Sequence, residues 1–77
     1  MADMTVAEAK RRLKACGWRL GRMKRQEIGT LTGWMDGWIV DAWDADGASP
    51  PQYAKGRTRS DALADLVERI EAMEEKR

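Results

Sequence analysis

Apolar residues at Val6, Ala9, Leu13 and Cys16 recur every three or four positions, the spacing that gathers side chains on one face of an α-helix. Thr5 stands three residues before Glu8, so its hydroxyl can cap one free amide while the carboxylate reaches back to another. Gly17 follows, where a left-handed residue commonly closes a helix. The pattern predicts a first helix that starts at Thr5 and ends near Cys16. From Trp18 to Arg25 the string alternates only in part, with Trp18 and Leu20 on one side and Met23 on the other, and predicts a strand in which Gly21 marks a bulge.

Residues 26–37 carry Gly29, Gly33 and Gly37 at intervals of four and read as turns and strand ends. Asp36-Gly37 is a hairpin signal if Ile28 to Met35 is itself a strand, and the pattern leaves that open. WIVDAW, from Trp38 to Trp43, has the β-branched and aromatic content of a strand, closed by Asp46-Gly47 and Ser49-Pro50-Pro51. A short strand around Gln52 to Gly56 comes next. Thr58 and Asp61 then form a second capping pair, and Leu63, Leu66, Val67, Ile70 and Met73 keep a helical register. Asp65 and Arg69 add an i, i+4 ion pair, and Lys76 with Arg77 complements the helix dipole.

The expected fold class is therefore α+β: one small domain over 1–77 in the order α-β-β-(β)-α, with two helices packed on one face of a short antiparallel sheet. Residues 1–4 and 74–77 are expected to fray. With 77 residues, 43% of them hydrophobic, such a chain buries only about 60% of its unfolded surface, so its core is thin.

The sequence has no histidine and a single cysteine, which removes histidine-based triads, internal disulfides and zinc sites built from cysteine and histidine. Cys16 sits at a predicted helix C-terminus, where the dipole disfavours a thiolate, and reads as a small core residue. DAWDADG superficially resembles a calcium loop, but setting Gly47 at its turn puts Ala42 at the first ligand position and Tyr53 where a bidentate Glu belongs. No catalytic residue, metal or cofactor is assigned, and the chain is expected not to be an enzyme. No apolar run reaches membrane-span length and no secretory signal opens the chain, so a cytoplasmic protein with no membrane partner is expected.

Two features point to binding. Residues 10–25 hold Lys10, Arg11, Arg12, Lys14, Arg19, Arg22, Lys24 and Arg25 with no acid, although the net charge is only +1. Such a cluster neutralises phosphates, and Trp18 beside it is a candidate stacking surface. The competing explanation is structural: an acidic last helix, with Asp61, Asp65, Glu68, Glu71, Glu74 and Glu75, packs alongside and cancels the field. The second feature is four tryptophans in a chain with one tyrosine and no phenylalanine. In the central strand Trp38, Val40 and Ala42 share one face while Ile39, Asp41 and Trp43 share the other. If helices cover the first face, Ile39 and Trp43 lie on the open one, where an aromatic patch usually serves a partner.

GRTRSDALADL, from Gly56 to Leu66, resembles the G-x-T-x-x-(D/E)-A-L strand-to-helix junction of HicB-type antitoxins. The element order also resembles double-stranded RNA-binding domains, but Asp61 and Asp65 stand where those domains present a basic cluster. The chain is assigned to neither family.

The expected function is a small non-enzymatic module that recognises another protein through a tryptophan-bearing sheet face, with Trp34, Ile39 and Trp43 as its contacts. Its size and lack of catalytic groups suit an accessory or inhibitor protein of the kind phages and mobile elements carry. The alternative is a nucleic-acid-binding module using Lys10, Lys14, Trp18, Arg22 and Arg25. A homodimer would bury the same aromatic surface. Salt separates the first two: affinity titrated against ionic strength falls steeply for a phosphate-dominated complex and little for an aromatic-anchored one.

Overall fold

The computed structural model describes residues 4–75. Its elements are α1 (Val6–Ala15), β1 (Trp18–Thr30), β2 (Gly33–Asp44), β3 (Gln52–Gly56) and α2 (Arg59–Glu75). Both predicted helix starts hold. The Glu8 amide donates to Thr5 Oγ1 at 3.1 Å, and the Asp61 amide donates to Thr58 Oγ1 at 3.1 Å. Gly17 ends α1 at φ +79°, a conformation that L side chains disfavour. Glu74 and Glu75 lie within α2, and residues 1–3, 76 and 77 lie outside the described residues. Among the described residues no helix is long and apolar enough to cross a membrane.

The strands form one antiparallel sheet in the order β1-β2-β3. β1 and β2 pair from Trp18 with Asp44 out to Thr30 with Gly33, so the turn is Leu31-Thr32 and not Asp36-Gly37. Gly33 adopts φ +138°, which favours glycine, and the Thr30 hydroxyl donates to the Gly33 carbonyl at 3.0 Å. Gly37 is instead mid-strand opposite Gln26. A Cβ there would fall 2.2 Å from Ile28 Cδ1 and 2.9 Å from the Gly56 carbonyl oxygen, which explains its glycine without a turn.

One extra residue in β1 makes the predicted bulge: the register shifts between Leu20 and Met23, setting Gly21 and Arg22 against Asp41. Simple alternation puts Met23 opposite to Leu20. The inserted residue returns it to the same side, where it packs on the core with Trp18 and Leu20.

That side of the sheet carries both helices, as expected. Trp18, Val40, Ala42 and Ala54 are buried against Ala9 and Leu13 of α1 and against Leu63, Leu66, Val67 and Ile70 of α2. Val6 departs from the predicted stripe and is exposed. Met4, just before the cap, packs on the core instead, and its amide donates to Ser60 Oγ at 2.8 Å. A bidentate pair joins the helices: Arg12 Nε donates to Glu71 Oε2 at 3.1 Å and Nη2 contacts Oε1. The buried Trp18 indole N–H reaches Glu74 Oε1 at 3.3 Å, so the deepest aromatic ring keeps an acceptor.

Leu66 is fully buried, so Leu66→Ala is expected to lower unfolding free energy by about 2–5 kcal/mol in urea denaturation. A loss below about 1 kcal/mol would contradict this packing.

Candidate functional site

Strand parity decides what the other side of the sheet presents. On β2 the side chains of Met35, Ile39, Asp41 and Trp43 point away from the helices. Cross-strand pairing adds Lys24 and Arg19 from β1, opposite Ile39 and Trp43, and Tyr53 and Lys55 from β3, opposite Asp41 and Ile39. Among the described residues no element covers this face. Trp43 is 45% exposed and Tyr53 57% exposed, while Ile39 is half-buried between Lys24 and Lys55. A cleft of about 340 Å³ opens here, lined by Arg22, Lys24, Gln26, Ile39, Asp41 and Tyr53.

The bulge shapes the centre of the face. The Arg22 amide donates to Asp41 Oδ1 at 2.6 Å, which gives a bulge N–H a charged acceptor. A Cβ at Gly21 would lie 1.9 Å from that same oxygen and 2.9 Å from Trp43 Cζ3, so only glycine lets the carboxylate and the indole occupy this spot together. Asp41 is thereby committed to the fold. The surrounding Arg19, Arg22, Lys24 and Lys55 leave the face with an excess of positive charge.

Of the three expected protein contacts, Ile39 and Trp43 do share the uncovered face. Trp34 does not. It shares the parity of Trp38, on the helix side of the sheet, and is 75% exposed because this end of the hairpin projects past the core. Counting in twos back from Trp38 gives its side once residues 33–37 are known to be strand. Tyr53, Lys55 and Arg19 were not among the expected contacts. The alternation of QYAKG points Tyr53 and Lys55 away from buried Ala54, but pairing is needed to bring them beside Asp41 and Ile39.

The basic segment does not assemble into one surface. Lys10 and Lys14 lie on α1, Arg12 is held by Glu71, and Arg22 lies on the uncovered sheet face. Arg25 is on the helix side opposite Trp38, with Nη2 3.5 Å from Asp36. Trp18 is 2% exposed, so the stacking role considered for it is closed off by its burial under the helices. Arg59 stacks 4.6 Å above the Trp38 ring, occupying one face of that indole as well.

The acids of DAWDADG also diverge: Asp41 faces outward, whereas Asp44 is buried on the helix side and accepts the Asp46 amide at 2.9 Å. Cys16 is half-buried and packs on the core. Burial raises its thiol pKa, and Glu71 and Glu74 add to the rise against an opposing pull from Arg12. Comparison with protein-family models, curated proteins and solved structures finds no match, so the antitoxin and RNA-binding resemblances rest on one short segment and an element order.

Asp41→Ala is expected to cost about 1 kcal/mol in urea unfolding and to shift Trp43 fluorescence, with Asp41→Asn retaining most of the stability. Equal losses in the two variants would show that the accepted hydrogen bond does not matter. Cys16 should alkylate more slowly than free cysteine at pH 8, since its raised pKa leaves less thiolate. A rate equal to free cysteine would contradict that environment.

Proposed function

We propose that this chain is a non-enzymatic binding module that recognises an acidic surface of another protein through the uncovered face of its sheet. One observation carries this reading: Trp43, Tyr53, Arg19 and Arg22 stand together on one uncovered surface. These are the residue types that dominate protein–protein hot spots, because they bring large contact area and fixed hydrogen-bond geometry at little entropic cost. Ile39 provides the apolar centre, and Lys24 and Lys55 form a charged rim that selects for acidic partners and speeds encounter. The single thiol favours the reducing cytoplasm as the working compartment. An accessory or inhibitor role of the phage type fits a small module of this kind.

A protein partner is preferred over nucleic acid for two physical reasons. The cations of residues 10–25 are spread over separate surfaces, and the Asp41 carboxylate stands in the middle of the one that carries exposed aromatic rings. A phosphate backbone crossing that face would meet this negative charge.

Capture of the partner from the source cell, with and without nuclease, tests the reading. Capture by the wild-type chain is expected to survive nuclease and to persist in Lys14→Glu. It should weaken about 30-fold in Trp43→Ala, corresponding to a hot-spot loss of about 2 kcal/mol. The paired change Arg22→Glu with Lys24→Glu should weaken it too. Loss on nuclease treatment, or indifference to Trp43→Ala, would overturn the reading. So would sedimentation as a dimer that Trp43→Ala dissociates, because the face would then be a seam between copies.

A further inference from the structure

β1 has a hydrogen-bonded neighbour on one side only, because the strand order is β1-β2-β3. At the far edge of the sheet β3 offers 5 residues, whereas β1 runs for 13. The first part of β1 packs against α1, with Trp18, Leu20 and Met23 on the core, and the bulge between Leu20 and Met23 breaks its pleat. From Met23 to Gly29 the strand is regular, and Lys24, Arg25, Gln26 and Glu27 are all exposed. The N–H and C=O groups that face away from β2 along such an edge are a template for another strand.

The side chains on this stretch leave one charge unbalanced. Glu27 stands directly opposite Asp36 in the ladder, and like charges in that position repel. Arg25, on the same side of the sheet, turns to Asp36, with Nη2 3.5 Å from Oδ2. Among the described residues Glu27 forms no ion pair. A cation arriving on its free flank, beyond the edge of the sheet, would offset the repulsion.

We propose that a second copy of this chain pairs antiparallel along this edge, β1 against β1, about a two-fold axis at Gln26. That register sets Arg25 against the partner's Glu27, twice by symmetry. Residues directly opposite share a face of the sheet, so the axis must pass through a residue paired with itself. An axis at Lys24, Arg25 or Glu27 would set two like charges against each other, and one at Ile28 would carry Arg25 past the strand into the turn at Leu31. Gln26 is also the midpoint of the regular stretch, so Met23 meets the partner's Gly29 at either end. On the outward face Lys24 lies beside the partner's Ile28, where its stem covers apolar surface and its ammonium stays in water. The axis is perpendicular to the sheet, so the helices of both copies stay on one side and both Trp43 surfaces stay uncovered on the other. The pairing is independent of the function proposed for that surface.

Sedimentation equilibrium of the whole chain tests it. Wild type is expected to be mostly dimer at about 100 μM and to dissociate on dilution. Glu27→Arg should weaken dimerisation at least about tenfold, because arginines then face each other across the axis. The same change should keep or raise the urea midpoint, since an arginine at that position faces Asp36. Exchanging the pair, Arg25→Glu with Glu27→Arg, should restore association, and amide exchange at residues 23–29 should slow as the dimer fills. A wild-type chain that is monomeric at about 100 μM, a Glu27→Arg variant that associates as well as wild type, or a folded exchanged pair that does not associate would overturn the proposal. Trp43→Ala should leave the dimer intact. Dissociation by that change would overturn the proposal too, by placing the seam on the outward face.

Discussion

Two amphipathic helices need somewhere to bury their apolar stripes, and a three-stranded sheet offers two sides. Trp18, Val40, Ala42 and Ala54 fix the choice, because they stand on one side and meet Ala9, Leu13, Leu63, Leu66, Val67 and Ile70 there. Everything else follows from both helices taking the same side. The core becomes a single cluster, and the opposite side keeps whatever the alternating positions supply, namely Ile39, Asp41, Trp43, Tyr53 and a group of cations. For so small a chain this division is economical, since one layer of helices suffices to close the core.

The bulge links that core to the exposed side. An added residue in β1 keeps Met23 on the core side while it turns the Arg22 amide toward Asp41. Gly21 makes room for the Asp41 carboxylate and the Trp43 ring at once. The same few atoms therefore settle how β1 packs inward and how its outer surface is furnished. Opposite charges fasten the layer from the other direction, with Arg12 against Glu71 between the helices, so part of the basic segment is structural.

Much of this was legible in the chain because it is local. Thr5, Thr58 and Gly17 act on their own helix ends, and the alternation in WIVDAW depends only on the strand's own pleat. What escaped reading is settled by pairing between distant segments. Asp36-Gly37 has the composition of a turn, yet long pairing with β1 makes it strand and moves the reversal to Leu31-Thr32, whose residues carry no turn signal. The sides of Met23 and Trp34 each depend on a register that a local pattern does not set. Tyr53 gains its meaning only from the strand beside it. The cations of residues 10–25 look like one feature in sequence, but a helix, a turn and a bulged strand distribute them in different directions.

Solvent exposure of the four indole N–H groups in the free protein tests the central division most directly. A soluble paramagnetic probe should broaden the Trp34 and Trp43 signals strongly and leave Trp18 sharp, because Trp34 and Trp43 are 75% and 45% exposed and Trp18 only 2%. Trp38, half-buried beneath Arg59, should fall between them. A Trp43 signal as protected as that of Trp18 would mean that the outer side of the sheet is covered, and would contradict a core built on one side alone.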